Sequence, residues 1–423
     1  MTPDTNASGD IQTPELDLSW VQVQGGSRRG ALGLIPLLIV IVVVAFFVGS
    51  ESLFYLAYVL GGLVLLSYLW MRQAPYSLQV ERRFPTRAFY GEEVGAEVSV
   101  TNRGRLPILW MELHESLPLA LHVPNFERRV VSLAPGGQAR VTYRLACRRR
   151  GYYQLGPLNL RLGDFFDLAP EREVQGVENP FIVYPRIIPL QRLGLPSRIP
   201  YGELASRLRI FEDPSRIFGV REYQPGDSLR QINWKSSARA EQLLVKRLQP
   251  AIALNTLILL NLNVEDYSLK ARADAGEVGI IVAASIAAHL VEQRQRAGLA
   301  VLGQDAVSAQ VGLQIIPPLR GREHLMRMLE LLARVELDAT PPFAPILSQA
   351  TANLGWGSSI VVITPGSGDS LTPAILELRR RGFHLILVAT DPQAPFSALQ
   401  AQLAQIGVPA FQVTGDKELD VWR

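Results

Sequence analysis

The sequence predicts a multidomain chain in which a two-helix transmembrane hairpin is followed by an antiparallel β-sandwich and then by an α/β unit. Three observations carry this. Two uncharged apolar runs, 31–49 and 53–70, are separated only by Ser50-Glu51-Ser52. Residues 76–185 hold several runs in which apolar and polar residues alternate, and residues 251–423 alternate short apolar runs with helix-period segments. A length of 423 residues accommodates two or three domains at roughly 150 residues each.

Residues 1–27 are polar, rich in small and acidic residues and without periodicity, and read as a disordered tail. Each apolar run within residues 28–72 is long enough for a hydrocarbon core of roughly 30 Å, and the short connection makes the pair a helical hairpin. Arg28 and Arg29 precede it, Arg72, Arg82 and Arg83 follow it, and the connection holds only Glu51. The positive-inside rule places both ends in the cytoplasm, with the chain in the inner or plasma membrane. Ser27-Arg28-Arg29 is not read as a twin-arginine export signal, because no clear small-residue cleavage site follows and a second span comes at once.

In residues 76–185, Val94, Ala96, Val98 and Val100 share one face, as do Val141, Tyr143, Leu145 and Cys147. A period of two with one polar face marks half-buried antiparallel strands. Turn chemistry at Asn102-Arg103-Gly104 and Ala134-Pro135-Gly136-Gly137 separates them, which suits a sandwich of immunoglobulin-like size. Cys147 is the sole cysteine, so the chain forms no internal disulfide. On the apolar side of its strand it reads as a small buried hydrophobe.

Residues 186–250 read as a linker plus a basic motif. From Arg186 to Gly219 four prolines interrupt the chain, and an irregular course is expected. Residues 186–250 carry 12 basic and 6 acidic side chains, net +6, against +3 for the whole chain. The excess is local, which favours one anionic or acidic partner surface over general nucleic-acid binding. Its densest part runs from Arg221 to Arg239, where Pro225-Gly226 suits a type II turn and Asp227 stands at an N-cap position. Arg221, Arg230, Lys235 and Arg239 surround that turn, with Tyr223 and Trp234 among them. These side chains either engage a partner or form an internal network that locks the linker to the following unit. Residues 243–248 look extended.

In residues 251–423, strands are expected at 256–262, 299–302, 360–364, 384–389 and 410–413, with helices at 273–296, 322–335, 371–381 and 396–405. Such alternation predicts a parallel sheet covered on both faces, with any ligand at the carboxyl ends of the strands, in the loops beginning at Asn261 and Thr364. Asn261, Asn263 and Glu265 place oxygen atoms at alternate positions past the first strand. Only one is a carboxylate, so Mg²⁺ is disfavoured and no cofactor is expected. The five histidines show no zinc-hydrolase spacing, and neither a Walker phosphate loop nor a Gly-x-Ser-x-Gly elbow occurs. Gly366-Ser367-Gly368-Asp369 reads as a flexible loop. A non-enzymatic role is expected. The alternative is an envelope-associated enzyme with Asp227 as base and Lys235 or an arginine stabilising an anion.

The segment Arg221-Glu222-Tyr223-Gln224-Pro225-Gly226-Asp227, continuing through Arg230-Gln231-Ile232-Asn233-Trp234-Lys235-Ser236-Ser237-Ala238-Arg239, resembles the signature of the bacterial membrane protein family called domain of unknown function fifty-eight. Arg150-Gly151-Tyr152-Tyr153, Gly163-Asp164-Phe165-Phe166-Asp167-Leu168 and Val183-Tyr184-Pro185-Arg186 extend the likeness. The resemblance implies a von Willebrand factor A-like C-terminal domain. It also implies a MoxR-type AAA+ ATPase as partner, in the assembly or activation of other protein complexes. Metal-binding A domains end their first strand in Asp-x-Ser-x-Ser. The matching positions here are Asn261, Asn263 and Glu265, and Pro365-Gly366 stands where an aspartate is common, so metal-dependent adhesion is not expected. The resemblance thus points to a membrane-anchored adaptor for protein–protein interaction.

Overall fold

The computed structural model describes residues 22–25, 29–121, 128–164, 171–189, 212–223, 232–240, 242–250, 255–355, 357–366 and 371–414. They fall into two units, Met1–Arg186 and Ile187–Arg423.

In the first unit the two apolar runs are helices α1 (Arg29–Val48) and α2 (Glu51–Gln73). Gly49 ends α1 in the left-handed region at φ 68°, and its N–H bonds the Ala45 carbonyl at 3.0 Å. A residue without a Cβ reaches that conformation at least cost. Ala45 and Ala57 are buried in the pair, while Phe46, Phe47, Tyr58 and Val59 are all at least two-thirds exposed. By length and composition α2 can cross a membrane.

Among the described residues eleven strands follow the hairpin or flank it. They are β1 (Gln22–Gly25), β2 (Leu78–Arg83), β3 (Arg87–Phe89), β4 (Glu93–Asn102), β5 (Ile108–Glu115), β6 (Arg128–Leu133), β7 (Gln138–Ala146), β8 (Gly151–Leu155), β9 (Leu158–Gly163), β10 (Arg172–Gln175) and β11 (Asn179–Tyr184). They form sheets of order β1-β10-β9-β5-β6, β2-β4-β7 and β3-β11-β8. The alternation in β4 and β7 is realised as cross-strand pairs: Val94 faces Leu145, Ala96 faces Tyr143 and Val98 faces Val141. The sheets share one core that includes Leu78, Val98, Met111, Leu113, Leu160 and Phe181. Cys147 is buried there, and burial, assisted by the Glu92 charge, pushes its thiol up to about 11.

Three features depart from expectation. Gln22–Gly25, read as part of a disordered tail, is β1 and pairs with β10, because an alternating Gln-Val-Gln-Gly segment can complete a sheet edge that its composition alone does not announce. The β3–β11 pair is parallel, since the long excursion between them frees the return direction. Most consequential, Arg82, counted as a charge flanking the hairpin, is fully buried. It shares the inward face of β2 with Leu78 and Val80 and pairs with Glu115, while its guanidinium also donates to the Leu155 carbonyl at 3.1 Å and Asn179 Oδ1 at 3.0 Å.

The second unit begins with a hairpin of β12 (Glu212–Glu222) and β13 (Leu244–Pro250) that brackets helix α3 (Trp234–Ala240). An irregular course was expected as far as Gly219, yet pairing extends back to Glu212. The register shifts between Asp213 and Ile217, on either side of Pro214, which cannot donate to the ladder.

The α/β unit proper contains β14 (Asn255–Asn261), α4 (Arg272–Glu292), β15 (Arg296–Asp305), β16 (Val311–Leu319), α5 (Arg322–Arg334), β17 (Val335–Glu336), α6 (Phe343–Thr351), β18 (Ser359–Thr364), α7 (Leu371–Arg380), β19 (His384–Ala389), α8 (Phe396–Gln405) and β20 (Ala410–Gln412). The order is β16-β15-β14-β18-β19-β20, the 3-2-1-4-5-6 pattern of doubly wound sheets. Leu257, Leu259, Ile360 and Val362 pack under α6, α7 and α8. Leu260 and Ile363 lie on the other face, against Gly279 of α4. Although α4 is apolar and long enough to cross a membrane, most of it is buried in this core. The sheet is not purely parallel. β16 and β17 run antiparallel to β15; for β16 the reason is that the five residues between it and β15 suffice for a hairpin and not for a crossover. β16, β17 and α6 had no clear period in the sequence.

Candidate functional site

The basic motif falls on the β12–α3–β13 hairpin. Arg221 pairs with Val245 and Glu222 with Leu244 in the ladder, and the Tyr223 N–H extends it to the Leu243 carbonyl at 2.9 Å. Pro225, Gly226, Asp227 and Arg230 lie outside the described residues, and with them the expected type II turn and the expected Asp227 cap. The chain returns at Ile232, which bridges Val245. Helix α3 is then capped by Asn233, whose Oδ1 accepts from the Ser236 N–H at 3.3 Å. Ser237 is buried, and its Oγ donates to the Asn233 carbonyl at 3.0 Å and accepts the Leu244 N–H at 2.9 Å. That hydroxyl holds the inner side of α3 against β13.

Sequence reasoning missed Asn233 and Ser237 as positioning residues. The signal was present, since Asn followed by Trp-Lys-Ser is a helix start, but Asp227 offered an earlier one. Asn233→Ala should lower the stability of this hairpin by about 1 kcal/mol, read from faster amide exchange at Ser236 and Ser237. The outer side of α3 is different in character. Trp234 is 66% exposed, and Lys235 and Arg239, one turn apart, are exposed too. An exposed tryptophan beside two cations can lay its ring on a partner while the cations pair with its carboxylates. Tyr223 is half-buried.

The second locus is the crevice at the carboxyl ends of β14 and β18, where the strand order reverses. The two loops singled out from the sequence meet here. Asn261, Asn263, Thr364, Thr390 and Asp391 are all buried. The Asn261 amide donates to Asp266 Oδ2 at 2.8 Å and to Thr364 Oγ1 at 3.4 Å, and its Oδ1 accepts the Asn263 N–H at 3.0 Å. Asn263 Oδ1 accepts from the N–H groups of Glu265 at 3.4 Å and Thr340 at 3.2 Å. The Tyr267 hydroxyl donates to the Asn261 carbonyl at 2.6 Å, and burial, chiefly, pushes that phenol well above its ordinary range. Asp391 accepts from Ser268 N–H at 2.8 Å, Ser268 Oγ at 3.0 Å and Gln393 N–H at 2.8 Å.

The side-chain oxygens of Asn261 and Asn263 therefore serve the protein's own amides. Glu265, the third position, is exposed in the 3₁₀ turn Val264–Asp266 and contributes its N–H to Asn263. Among the described residues no group of three or more His, Cys, Asp or Glu is placed to hold a metal ion. The one histidine buried in this unit's described core, His324, uses Nε2 to bond the Ala297 carbonyl at 2.8 Å, a structural role.

Comparison with known proteins gives a family match and a long, distant relative. The model of the family described as protein of unknown function DUF58 matches residues 219–356. The uncharacterized protein YeaD of Bacillus subtilis (strain 168) is 26% identical over 370 residues, 86% of this chain and 88% of that protein. Among solved structures, a von Willebrand factor type A protein from Catenulispora acidiphila overlaps 42% of this chain and 42% of its own, with 12% identity and a TM-score of 0.30. A CARDB domain from Pyrococcus furiosus overlaps 25% of this chain and 86% of its own, with 16% identity and a TM-score of 0.18. At such scores the fold assignment rests on the strand order, not on these neighbours. The DUF58 match opens inside β12 and ends before β18, so it takes in the basic hairpin and the β14 half of the crevice.

Proposed function

We propose that the chain is a membrane-anchored, cytoplasm-facing adaptor that docks a protein partner through the outer side of α3. The observation that carries this reading is Trp234, 66% exposed and flanked by exposed Lys235 and Arg239. A large aromatic left in water beside cations is the composition of an interface anchor. The partner implied by the family resemblance is a MoxR-type AAA+ ATPase, and the net +6 of residues 186–250 suits an acidic surface on it. The anchor is the α1–α2 hairpin, whose outward residues are large, apolar and exposed. β1 ends just before α1 and β2 begins just after α2, both in one unit, which supports a hairpin whose two ends emerge on the same side. Arg28, Arg29, Arg72 and Arg83 favour the cytoplasmic side, with Arg82 removed from that count by its burial. We read the β-sheet unit as an immunoglobulin-like sandwich and the second unit as a von Willebrand factor A-type domain whose metal position is filled by amides, without a cofactor.

The test is capture of the tagged MoxR-type ATPase of the same cell by the solubilised full chain. Trp234→Ala combined with Lys235→Glu and Arg239→Glu should cut recovery about tenfold or more, the equivalent of about 1.4 kcal/mol. Each of these changes on an exposed helix face should move stability by only about 0.5 kcal/mol. Undiminished recovery by the folded variant would remove α3 as the docking surface.

A further inference from the structure

The β4–β5 loop is tied to α2 and to the 3₁₀ turn Ala74–Ser77 that follows it. The Trp70 indole N–H donates to the Pro107 carbonyl at 3.0 Å, and the Arg103 N–H donates to the Ser77 carbonyl at 2.7 Å. Gly104 lies so close that a Cβ there would meet Ser77 Cβ at 2.7 Å. The loop is also braced internally, with Asn102 Nδ2 donating to the Leu106 carbonyl at 2.8 Å and its Oδ1 accepting the Gly104 N–H at 2.9 Å. This is a built element with a set height along α2.

That height has a consequence for the membrane. A helix entering the hydrocarbon at Glu51 and rising about 1.5 Å per residue needs roughly 20 residues to cross about 30 Å. It leaves near Trp70, the residue bonded to the loop. The two turns before Trp70 are flanked by the same unit, where Leu63 and Leu66 of α2 face Ile108 and Leu109 across a cleft of about 120 Å³. At the rim of that cleft Ser67 Oγ donates to Asp164 Oδ2 at 2.8 Å. Leu106 is 41% exposed and Leu109 49%. Beside them Arg72, Arg103 and Arg105 are exposed, as is Tyr76. Apolar tips, aromatic residues and arginines gathered about one end of the span form the pattern of a surface resting in the headgroup layer.

We infer that the β4–β5 loop and the start of β5 form a second membrane contact, in which Leu106 and Leu109 enter the interface and Arg72, Arg103 and Arg105 bind the headgroups of anionic phospholipids. The inference rests on the hairpin spanning the bilayer, and the experiment separates the two. In a Cys147→Ala background the full chain is labelled singly through Leu106→Cys, Leu109→Cys, Tyr90→Cys or Val59→Cys with an environment-sensitive fluorophore. Each protein is reconstituted into phosphatidylcholine vesicles carrying nitroxide lipids, with or without phosphatidylglycerol. Tyr90 precedes β4, whose ten residues put it roughly 30 Å from the loop at about 3.3 Å per residue.

The Val59 label, on the outer side of α2, reports the span itself and should be strongly quenched. The Leu106 and Leu109 labels should be quenched several-fold more than the Tyr90 label, and more still with phosphatidylglycerol. Arg103→Gln with Arg105→Gln should abolish that last increment. Quenching at Val59 with Leu106 and Leu109 no better quenched than Tyr90 overturns the loop contact and leaves the span. Absence of quenching at Val59 overturns the span, and the loop contact with it. Quenching of the loop labels that ignores phosphatidylglycerol overturns the headgroup assignment.

Discussion

Glu115→Ala is expected to destabilise the β-sheet unit by about 3–5 kcal/mol, because it leaves a buried guanidinium without its counter-charge. Arg82 is wholly shielded from solvent and Glu115 is 3% exposed. The arginine keeps its bonds to the Leu155 carbonyl and Asn179 and its position 5.8 Å from the Phe84 ring centre, but none of these groups carries a negative charge. Replacing both partners, Arg82→Met with Glu115→Leu, should cost far less or nothing, since the desolvation of both charges is then avoided. Urea unfolding, with amide exchange of β4 and β7 as the local probe, distinguishes the two variants. A single-variant loss no larger than that of the double variant would show that the pair contributes no coupling.

The same pair sets a pH dependence. Burial pushes the Glu115 carboxyl above its ordinary range, and the nearby Arg82 charge only partly offsets this. The folded state therefore holds that proton more tightly than the unfolded chain does. The stabilising share of Glu115 is complete below the ordinary carboxylate pKa and is lost as pH rises through the raised one. The stability advantage of the native chain over Glu115→Gln should accordingly be greatest in mild acid and shrink toward neutrality. An advantage that grows over that interval would contradict a raised carboxyl.

Asp391→Ala should lower the stability of the α/β unit by about 3 kcal/mol. Asp391 is 1% exposed and accepts three hydrogen bonds from Ser268 and Gln393, and bonds to an ionised group are each worth about 1.5–3 kcal/mol. The loss falls short of their sum because Ser268 and Gln393 are nearer the surface and recover water. Asp391→Asn keeps the acceptor oxygen and should lose about half as much. Amide exchange at Ser268 reports the effect where it arises, and unchanged protection there would mean that the loop is held by other contacts.

Periodicity is why the larger elements were readable. Val94, Ala96, Val98 and Val100 bury in β4 as their spacing requires, and the apolar runs of β14, β18 and β19 are buried on both faces because helices cover both. β16 was not readable, since an edge strand that contains Pro317-Pro318 carries little alternation. The crevice was legible as a place, from the rule that ligands gather at strand ends, and Asn261 and Asn263 were legible as its residues. Their full engagement was not, because the Thr340 N–H that binds Asn263 and the Thr364 hydroxyl that accepts from Asn261 come from 77 and 103 positions away in sequence. Likewise the spacing of Leu78, Val80 and Arg82 puts all three on one face. Only the arrival of Glu115, Leu155 and Asn179 from three other parts of the chain makes that face habitable for a charge.

The basic motif shows the same division. Its density of arginine, lysine and aromatic residues between two extended runs is a property of the linear chain and marks the segment by itself. Which of those side chains point outward depends on the β12–β13 register and on Ser237 binding α3 to β13. These contacts turn Ser237 inward and leave Trp234, Lys235 and Arg239 on the outside. Local composition and periodicity are written in neighbouring residues, so the number and kind of elements follow from them. Burial of a charge, closure of a strand-end crevice and exposure of a tryptophan depend on partners distant in sequence, and only the folded chain brings those together.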